Sequence, residues 1–276
     1  MKRFYFLLLI LLLSNKLLVG QSKFYLDTLS VYVANSSITS NMTTEMMGQN
    51  IESSNNNFST TTIKFYELKP DKIVFRTTLK QIKGNISNAM QTVTFDTDNK
   101  KPNSTERVMQ KAINIERIHS INAFGTSLDT ILIDNKNTKI ENLEKAGISI
   151  GNLLIFNKSF FKIPISLNIS WNDTIISNDK SKSNEIINYL VKNIELDTVS
   201  ISFSSNEVYE TEIEQMGRPM ITKGTKKTAG VYKIDQQSKA IISKIYKTEL
   251  TSVIEFNAMS IPLNGTINGI ITIEKK

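Results

Sequence analysis

The residue best suited to acid–base chemistry is His119, the only histidine of the chain. A Ser-His-Asp relay would use it as the base, with the nucleophile expected in a Gly-x-Ser-x-Gly turn. The sequence contains no such turn. Because His119 falls at the end of a predicted helix, we interpret it as a structural or exposed side chain rather than a catalytic one.

Two acidic groups could also do chemistry. Glu210, Glu212 and Glu214 alternate along a predicted strand, so they face one side of it. Converging carboxylates could serve a hydrolase or bind a metal ion, but we interpret this row as a solvated strand face. The stretch from Asp96 to Asn99 resembles part of a calcium loop without its glycine and distal glutamate. We interpret it as a turn at a strand end.

Other motifs that carry chemistry are missing from the sequence. There is no cysteine, which excludes disulfides, thiol nucleophiles and cysteine-based zinc sites. No phosphate-binding loop, dinucleotide fingerprint or zinc-protease motif occurs. The sequence therefore predicts a protein that is not an enzyme, with no catalytic residue, no metal site and no cofactor; it does not identify any ligand-binding residue.

The net charge of +7 comes mainly from lysine, since arginine is scarce. Sites that grip phosphate or nucleic acid favour the arginine fork. The lysines here are scattered among Asn, Ser and Thr, which is typical of a solvated surface. Attraction to an anionic cell surface or glycan is the alternative. We expect no nucleic-acid partner.

Residues 1–20 have the three parts of a secretory signal. Lys2 and Arg3 provide the positive start, residues 4–13 form an unbroken apolar run, and Gly20 is a small residue at the expected cleavage site. An uncleaved membrane anchor is the alternative, but a polar pair interrupts the apolar run before it reaches spanning length. We expect a secreted or periplasmic protein of the cell envelope.

The mature chain, residues 21–276, is long enough to bury a core of its own. We predict a single extracytoplasmic domain without a transmembrane span. Two stretches, about 25–135 and 165–276, share the order of a hairpin, a polar stretch and a strand carrying an aromatic residue and an aspartate. This order indicates two related halves, or two β-meanders that resemble each other by default.

Most of the chain alternates apolar and polar residues with the period of a β-strand. Residues 60–79 and 188–205 each predict a hairpin, the first turning at Pro70-Asp71. A C-terminal meander is predicted over 226–235, 239–256 and 266–274, with turns at 236–238 and 262–265. Asn264-Gly265 is the strongest hairpin signal in the chain.

One helix is predicted from Thr105 to about Ser120, capped by Asn103-Ser104 and packed on the sheet through an apolar stripe. A shorter helix is predicted over 139–145. Residues 35–57 are rich in Asn, Ser, Thr and Met, and within them 42–48 could be a strand facing a partner or an irregular loop. The fold class is therefore mainly β: curved antiparallel sheet in two meander-like halves, with one or two helices.

Four short segments resemble an uncharacterised family of secreted proteins and lipoproteins of Bacteroidetes, known only as a domain of unknown function. They read MTTEMMGQ (42–49), FDTDNK (95–100), KIPISLNISW (162–171) and GVYKIDQQSKAI (230–241). The chain departs from the family in having no glycine before Trp171 and no cysteine for lipidation. The resemblance implies an extracytoplasmic β-rich protein and brings no activity or site residue with it.

Two functions remain open from the sequence. A curved sheet with one helix can enclose a half-open apolar cavity that binds an apolar ligand or lipid, and its lining could include Met42, Met46, Met47 and Met90. Ordinary core is the alternative for these methionines. The second function is a surface structural or adhesion-type protein that binds an envelope protein or a glycan. Trp171, the only tryptophan, is a core or sheet-edge anchor, or a platform on which a ligand stacks.

Overall fold

The computed structural model describes residues 26–46, 48–69, 72–122, 128–132, 155–161, 164–178, 181–215, 218–256 and 259–276. In these ranges twelve strands form one open antiparallel sheet, as the alternation predicts. The strands are β1 (Val31–Met46), β2 (Gln49–Lys69), β3 (Lys72–Asn88), β4 (Thr92–Asp96), β5 (Glu116–Asn122), β6 (Leu128–Leu132), β7 (Ser170–Asn178), β8 (Ser181–Glu195), β9 (Thr198–Gln215), β10 (Arg218–Asp235), β11 (Ile241–Phe256) and β12 (Met259–Lys275).

The first and last strands pair at the middle of the sheet. Its order is β6-β5-β3-β2-β1-β12-β11-β10-β9-β8-β7, and β4 pairs with β3 beside this path. The first six strands therefore lie on one side of the β1–β12 contact and the rest follow on the other. That the two halves are similar, and that residues 21–276 form one domain, stays a prediction. The proposed signal peptide, the helix over 139–145 and Met47 lie outside the described residues.

Both predicted hairpins are confirmed by the strand pairing. Lys69 at the end of β2 lies opposite Lys72 at the start of β3. Glu195 pairs with Thr198 across the turn between β8 and β9. In the undecided segment 42–48, residues 42–46 belong to β1 and pair with β2, so they are strand rather than loop.

The turn predicted at Asn264-Gly265 is wrong. Both residues lie inside β12, paired with Thr251 and Leu250 of β11 and with Thr43 and Met42 of β1. Gly265 is favoured there because a Cβ would come within 2.8 Å of the backbone oxygen of Asn41. Pro262, which read as part of a turn, lies past the last residue of β12 that pairs with β1. Its missing N–H is therefore tolerated at a free strand edge.

The predicted helix is present but ends early. It becomes α1 (Ser104–Gln110), and Asn103 and Glu106 form a capping box at its start. Asn114 adopts a left-handed φ of 64°, which ends the helical turns, and Ser120 pairs with β3 in β5. The second half of the predicted helix is therefore a strand, because pairing with a neighbouring strand outweighs helix propensity.

The buried side chains form three clusters. The first joins Tyr32, Phe65 and Phe75 of β1–β3 to Phe156. The second lies under β8–β11 around Phe160. The third packs α1 against the β3–β4 edge through Leu79, Ile82, Phe95, Met109 and Ala112, so the helix lies on the sheet as predicted.

Candidate ligand-binding face

The two faces of the sheet differ sharply in polarity and burial. We call inner face the side that carries Tyr32, Phe65, Tyr189 and Tyr232, which are all buried. The outer face carries the intervening residues. Along β10 the exposed outer positions are Lys223, Thr225, Lys227, Ala229, Val231 and Lys233, mostly polar or charged. This division is what a sheet with one buried and one wet side requires.

The segment Ile155–Phe161 fills one end of the inner face, and we call it the base segment. The Phe156 ring lies 6.2 Å from Phe65 and 6.0 Å from Phe75, while its backbone bridges to Ala240 beside β11. These partners lie on strands about 15 Å or more apart in a flat sheet. One residue can reach both only because the sheet curves around the base segment.

Phe160 anchors the other side of the base segment. Its ring makes edge contacts with Tyr189 at 5.7 Å, Tyr232 at 5.2 Å and Trp171 at 6.3 Å. Edge-to-face contacts of this kind add to the energy of burial. Trp171 lies on the sheet-edge strand β7 and also stacks on Tyr189 of β8. This position confirms the prediction of a sheet-edge anchor.

Beyond the base segment, the inner face mixes apolar side chains with Ser, Thr, Asn and charged residues, for example Ser40, Thr248 and Ser252. Seven Ile, Leu and Met side chains of β1, β11 and β12 on this face are half-buried and belong to none of the three clusters. The one described helix packs elsewhere, at the β3–β4 edge. Among the described residues, no helix or second sheet therefore packs over these side chains. They are Ile38, Met42, Ile254, Ile261, Leu263, Ile267 and Ile271.

A row of aromatic and glycine residues crosses this face. Tyr246 of β11 lies directly opposite Gly269 of β12 and Gly230 of β10, and Gly230 lies opposite Phe203 of β9. A Cβ on Gly269 would come within 2.2 Å of the Tyr246 ring, and one on Gly230 within 2.8 Å of the Phe203 ring. The two glycines make room for rings that lie across the sheet.

Lys244 projects from β11 into these rings. Its ammonium nitrogen lies 4.8 Å from the centroid of Tyr246, 5.0 Å from that of Tyr232 and 5.2 Å from that of Phe203. Burial lowers the pKa of Lys244 from its usual value, and the distant carboxylate of Glu185 partly opposes this. We call the lysine and its three rings the Lys244 cage.

A second inner lysine already has a counter-ion. Lys226 of β10 pairs with Glu207 at 2.9 Å and lies 4.4 Å from the centroid of the Tyr209 ring. On β2 the amide oxygens of Asn55 and Asn57 are buried and have no hydrogen-bond partner. The inner face therefore combines apolar side chains with many polar groups, some of them charged.

Cavities at two places bear on where a ligand could bind. One of about 630 Å³ lies at the far ends of β1–β3, and its lining is mostly Asn and Ser. The other, about 380 Å³, lies beside the base segment and is lined by Leu26, Leu68, Ile73 and Phe161 together with polar residues such as Asp235. The first is too polar to hold an apolar ligand.

The methionines contribute less to this face than predicted. Met42 lies on it, opposite Gly265. Met90 is 96% exposed in the turn after β3, so the prediction that it lines a cavity is wrong. The side chains of Met46 and Met47 lie outside the described part. Sequence reasoning missed the Lys244 cage, although two signals were available: a lysine and a tyrosine alternating at 244–246, and Gly230 and Tyr232 on the preceding strand.

His119 is buried on β5, not at a helix end. Its Nε2 hydrogen bonds with the Thr77 hydroxyl at 2.8 Å and its ring stacks on Phe75 at 4.7 Å. Burial, with a smaller effect from the nearby Arg117 charge, lowers the pKa of His119 from 6.5 to about 4. The structural interpretation of this residue is confirmed.

This low pKa predicts acid sensitivity. The unfolded chain binds a proton on His119 as pH falls below about 6.5, whereas the folded protein does so only near 4. The free energy of unfolding therefore falls by about 2 kcal/mol as pH drops across that window. The figure is smaller than the full pKa shift would give because solvent screens part of the effect. Urea unfolding at pH 7 and pH 4.5 measures the loss, and His119→Gln, which cannot titrate, should show a smaller one. Equal losses in both proteins would contradict the assignment.

The acidic groups are surface features. Glu210 is on the outer face, where Lys223 pairs with it at 3.7 Å and with Glu255 at 3.4 Å. Glu212 is exposed, and the Glu214 side chain is outside the described set. Among the side chains that are described, no three His, Asp or Glu come together as metal ligands would.

The predicted turn after β4 is confirmed. Asp96 accepts a hydrogen bond from the backbone N–H of Asp98 at 2.9 Å, the bond of an aspartate turn. Glu106 of α1 in turn accepts from the Asp96 N–H at 2.9 Å and from the Asn99 amide at 3.0 Å. These contacts tie the turn to the helix.

Comparisons with known proteins leave the family open. No protein-family model and no curated protein matches the chain, so the resemblance to the Bacteroidetes family stays a prediction. No helix in the described ranges has the length and apolar character to cross a lipid bilayer.

Some solved structures are distantly similar. An outer membrane channel from Pseudomonas putida F1 aligns over 93% of this chain and 99% of its own, at 7% identity and a TM-score of 0.32. OccK7 (OpdD) of Pseudomonas aeruginosa aligns over 89% and 99%, at 5% identity and a TM-score of 0.25. Similarity at this level supports no conclusion about activity; the chain is a mainly β protein built on one open antiparallel sheet.

Proposed function

We propose that the protein is an exported, non-catalytic carrier that binds an apolar ligand along the inner face of its sheet. The observation that carries the proposal is the group of half-buried apolar side chains left uncovered beyond the base segment, including Ile38, Ile267 and Ile271. Exposed apolar surface costs free energy in water. A ligand that covers these side chains would remove that cost.

The outer face gives less support to a binding role. Val231, Ile245 and Ile270 lie side by side there and are about half exposed. With Ile186 and Val208 they are exposed apolar residues on a face that is otherwise mostly polar or charged, and a small apolar patch of this kind is ordinary for a protein surface. A structural or adhesion-type protein would bind a protein or glycan through this face or through the edge strands, so the two functions assign binding to different residues.

A matched pair of substitutions on β12 separates the two faces. Ile267→Asn removes an apolar contact from the inner face, and Ile270→Asn makes the same change on the outer face three residues away. We expect the neutral fluorescent probe N-phenyl-1-naphthylamine to bind the wild type saturably. Ile267→Asn should weaken it about tenfold, because about 1.5 kcal/mol of apolar contact is lost.

Fluorescence titration of each purified protein measures this effect. Ile270→Asn should bind the probe like the wild type, and circular dichroism checks that both variants keep their sheet. No saturable binding to the wild type would refute the carrier function. Equal weakening by both substitutions would show that the inner face is not the site.

Export is the second part of the proposal, and it relies on the N-terminal signal pattern alone. Protein recovered from the producing cell's envelope should begin at Gln21 on N-terminal sequencing. A chain that begins at Met1 would contradict it.

A further inference from the structure

We propose that the Lys244 cage binds the anionic head group of an amphiphile, a long-chain carboxylate, whose apolar chain lies on the inner face. This proposal rests on the carrier function above and names its ligand class. The cage lies on the inner face, where Lys244 is directly opposite Tyr232 on β10 and Ile271 on β12.

Lys244 lacks a carboxylate counter-ion among the described residues. In the described part of the chain, no carboxylate lies within ion-pairing distance of the Lys244 ammonium, whose close partners are three aromatic rings. The ring faces attract a cation, but a partly buried charge without an anion still costs free energy. A bound carboxylate would supply the charge-assisted hydrogen bonds that the rings do not provide.

Lys226, one strand away on the same face, differs from Lys244 in having a counter-ion. There the fold provides Glu207 as a counter-ion at 2.9 Å. Glu185, which acts on Lys244 only at a distance, lies opposite Glu207 in the register of β8 and β9. The inner face thus satisfies one lysine internally and leaves the other open to a ligand.

A line of apolar side chains lies next to the Lys244 cage. Ile271 and Ile267 of β12 lie on the inner face beside β11, and Ile38 of β1 lies opposite Gly269 between them. Leu263 continues this line toward the far end of the sheet. From Ile271 to Leu263 the strand rises about 26 Å, comparable to an extended long acyl chain. A single lysine at one end of such a line fits one carboxylate and one chain.

Calorimetric titration with two amphiphiles of equal chain length tests the proposal. Palmitate carries the carboxylate, and hexadecanol carries a neutral hydroxyl. We expect the wild type to bind palmitate at least tenfold more tightly than hexadecanol. Lys244→Met should remove this preference and leave the hexadecanol affinity within about twofold, whereas Lys244→Arg should keep most of it.

Lys247→Met is the matched control, because Lys247 lies on the same strand but on the exposed outer face. It should bind both amphiphiles like the wild type. If the wild type bound both ligands with equal affinity, the head-group proposal would be overturned and the carrier function would stand. This comparison uses the wild-type protein alone. Binding of neither ligand would overturn both. Loss of both ligands in a folded Lys244→Met would assign the lysine a structural role instead.

Discussion

Phe160→Ala should destabilise the protein by about 4 kcal/mol, the largest effect that we expect from a single side chain. The Phe160 ring is fully buried and makes edge contacts with Trp171, Tyr189 and Tyr232. Its removal leaves a cavity beneath three rings that are fixed on different strands. Because the sheet curves around the base segment, neighbouring side chains cannot easily collapse into that space.

Urea unfolding followed by circular dichroism measures this loss. Tyr66→Ala is the control, since Tyr66 is an aromatic residue of similar size that is 45% exposed. We expect a change of less than about 1 kcal/mol there. If Phe160→Ala were no more destabilising than the control, the base segment would not be part of the core, and the account of the curved sheet would be wrong.

Gly230→Val should destabilise the protein by about 3 kcal/mol, through overpacking rather than through a cavity. A Cβ at this position would come within 2.2 Å of the backbone oxygen of Ile245 and 2.8 Å of the Phe203 ring. Backbone of a central strand cannot move aside without breaking its ladder. The substitution should also displace the rings around Lys244 and therefore weaken palmitate binding.

Ala229→Val provides the matched control on the same strand. Ala229 is exposed on the outer face, where a β-branched residue is well suited to a strand. We expect the Ala229→Val protein to be as stable as the wild type or slightly more stable. Thermal unfolding of the two variants compares the faces directly, and a Gly230→Val protein as stable as Ala229→Val would mean that the rings do not lie across the glycine.

Much of the sheet could be predicted because its strands alternate clearly. In β9, Val199, Ile201 and Phe203 are buried and the serines between them are more exposed, so the period-two signal is strong. The first two strands were harder to predict. Beyond Ala34, β1 carries Ser, Asn and Thr on both faces, since much of its inner face is not buried in a core. The pattern that identifies a strand is weakest where the proposed binding face lies.

Turns and helix ends failed where tertiary pairing overrides local preference. Asn264-Gly265 has the sequence of a hairpin turn, but it is paired on both sides within β12. Ile115 reads as part of a helical stripe, yet the chain has already left the helix at Asn114. In both cases the deciding partner is distant in the chain, so a local reading could not include it.

The Lys244 cage was missed for the same reason, although its residues can be read in the sequence. Its rings come from β9, β10 and β11, and they meet only because the register places Phe203 opposite Gly230 and Tyr232 opposite Lys244. The pairing of Tyr232 with Lys244 could be inferred from the predicted turn at 236–238, between β10 and β11. The pairing of Phe203 with Gly230 depends on the register of β9 and β10, and the Met-Gly sequence at 216–217 is not one of the strong hairpin pairs.

The most direct test is an isotope-filtered nuclear Overhauser experiment on the mature protein with labelled isoleucine methyl groups and bound palmitate. We predict contacts from the acyl chain to Ile38, Ile267 and Ile271 on the inner face. Contacts to Ile245 and Ile270 on the outer face, or no contact to any isoleucine in a saturated complex, would contradict the binding of an apolar ligand on the inner face.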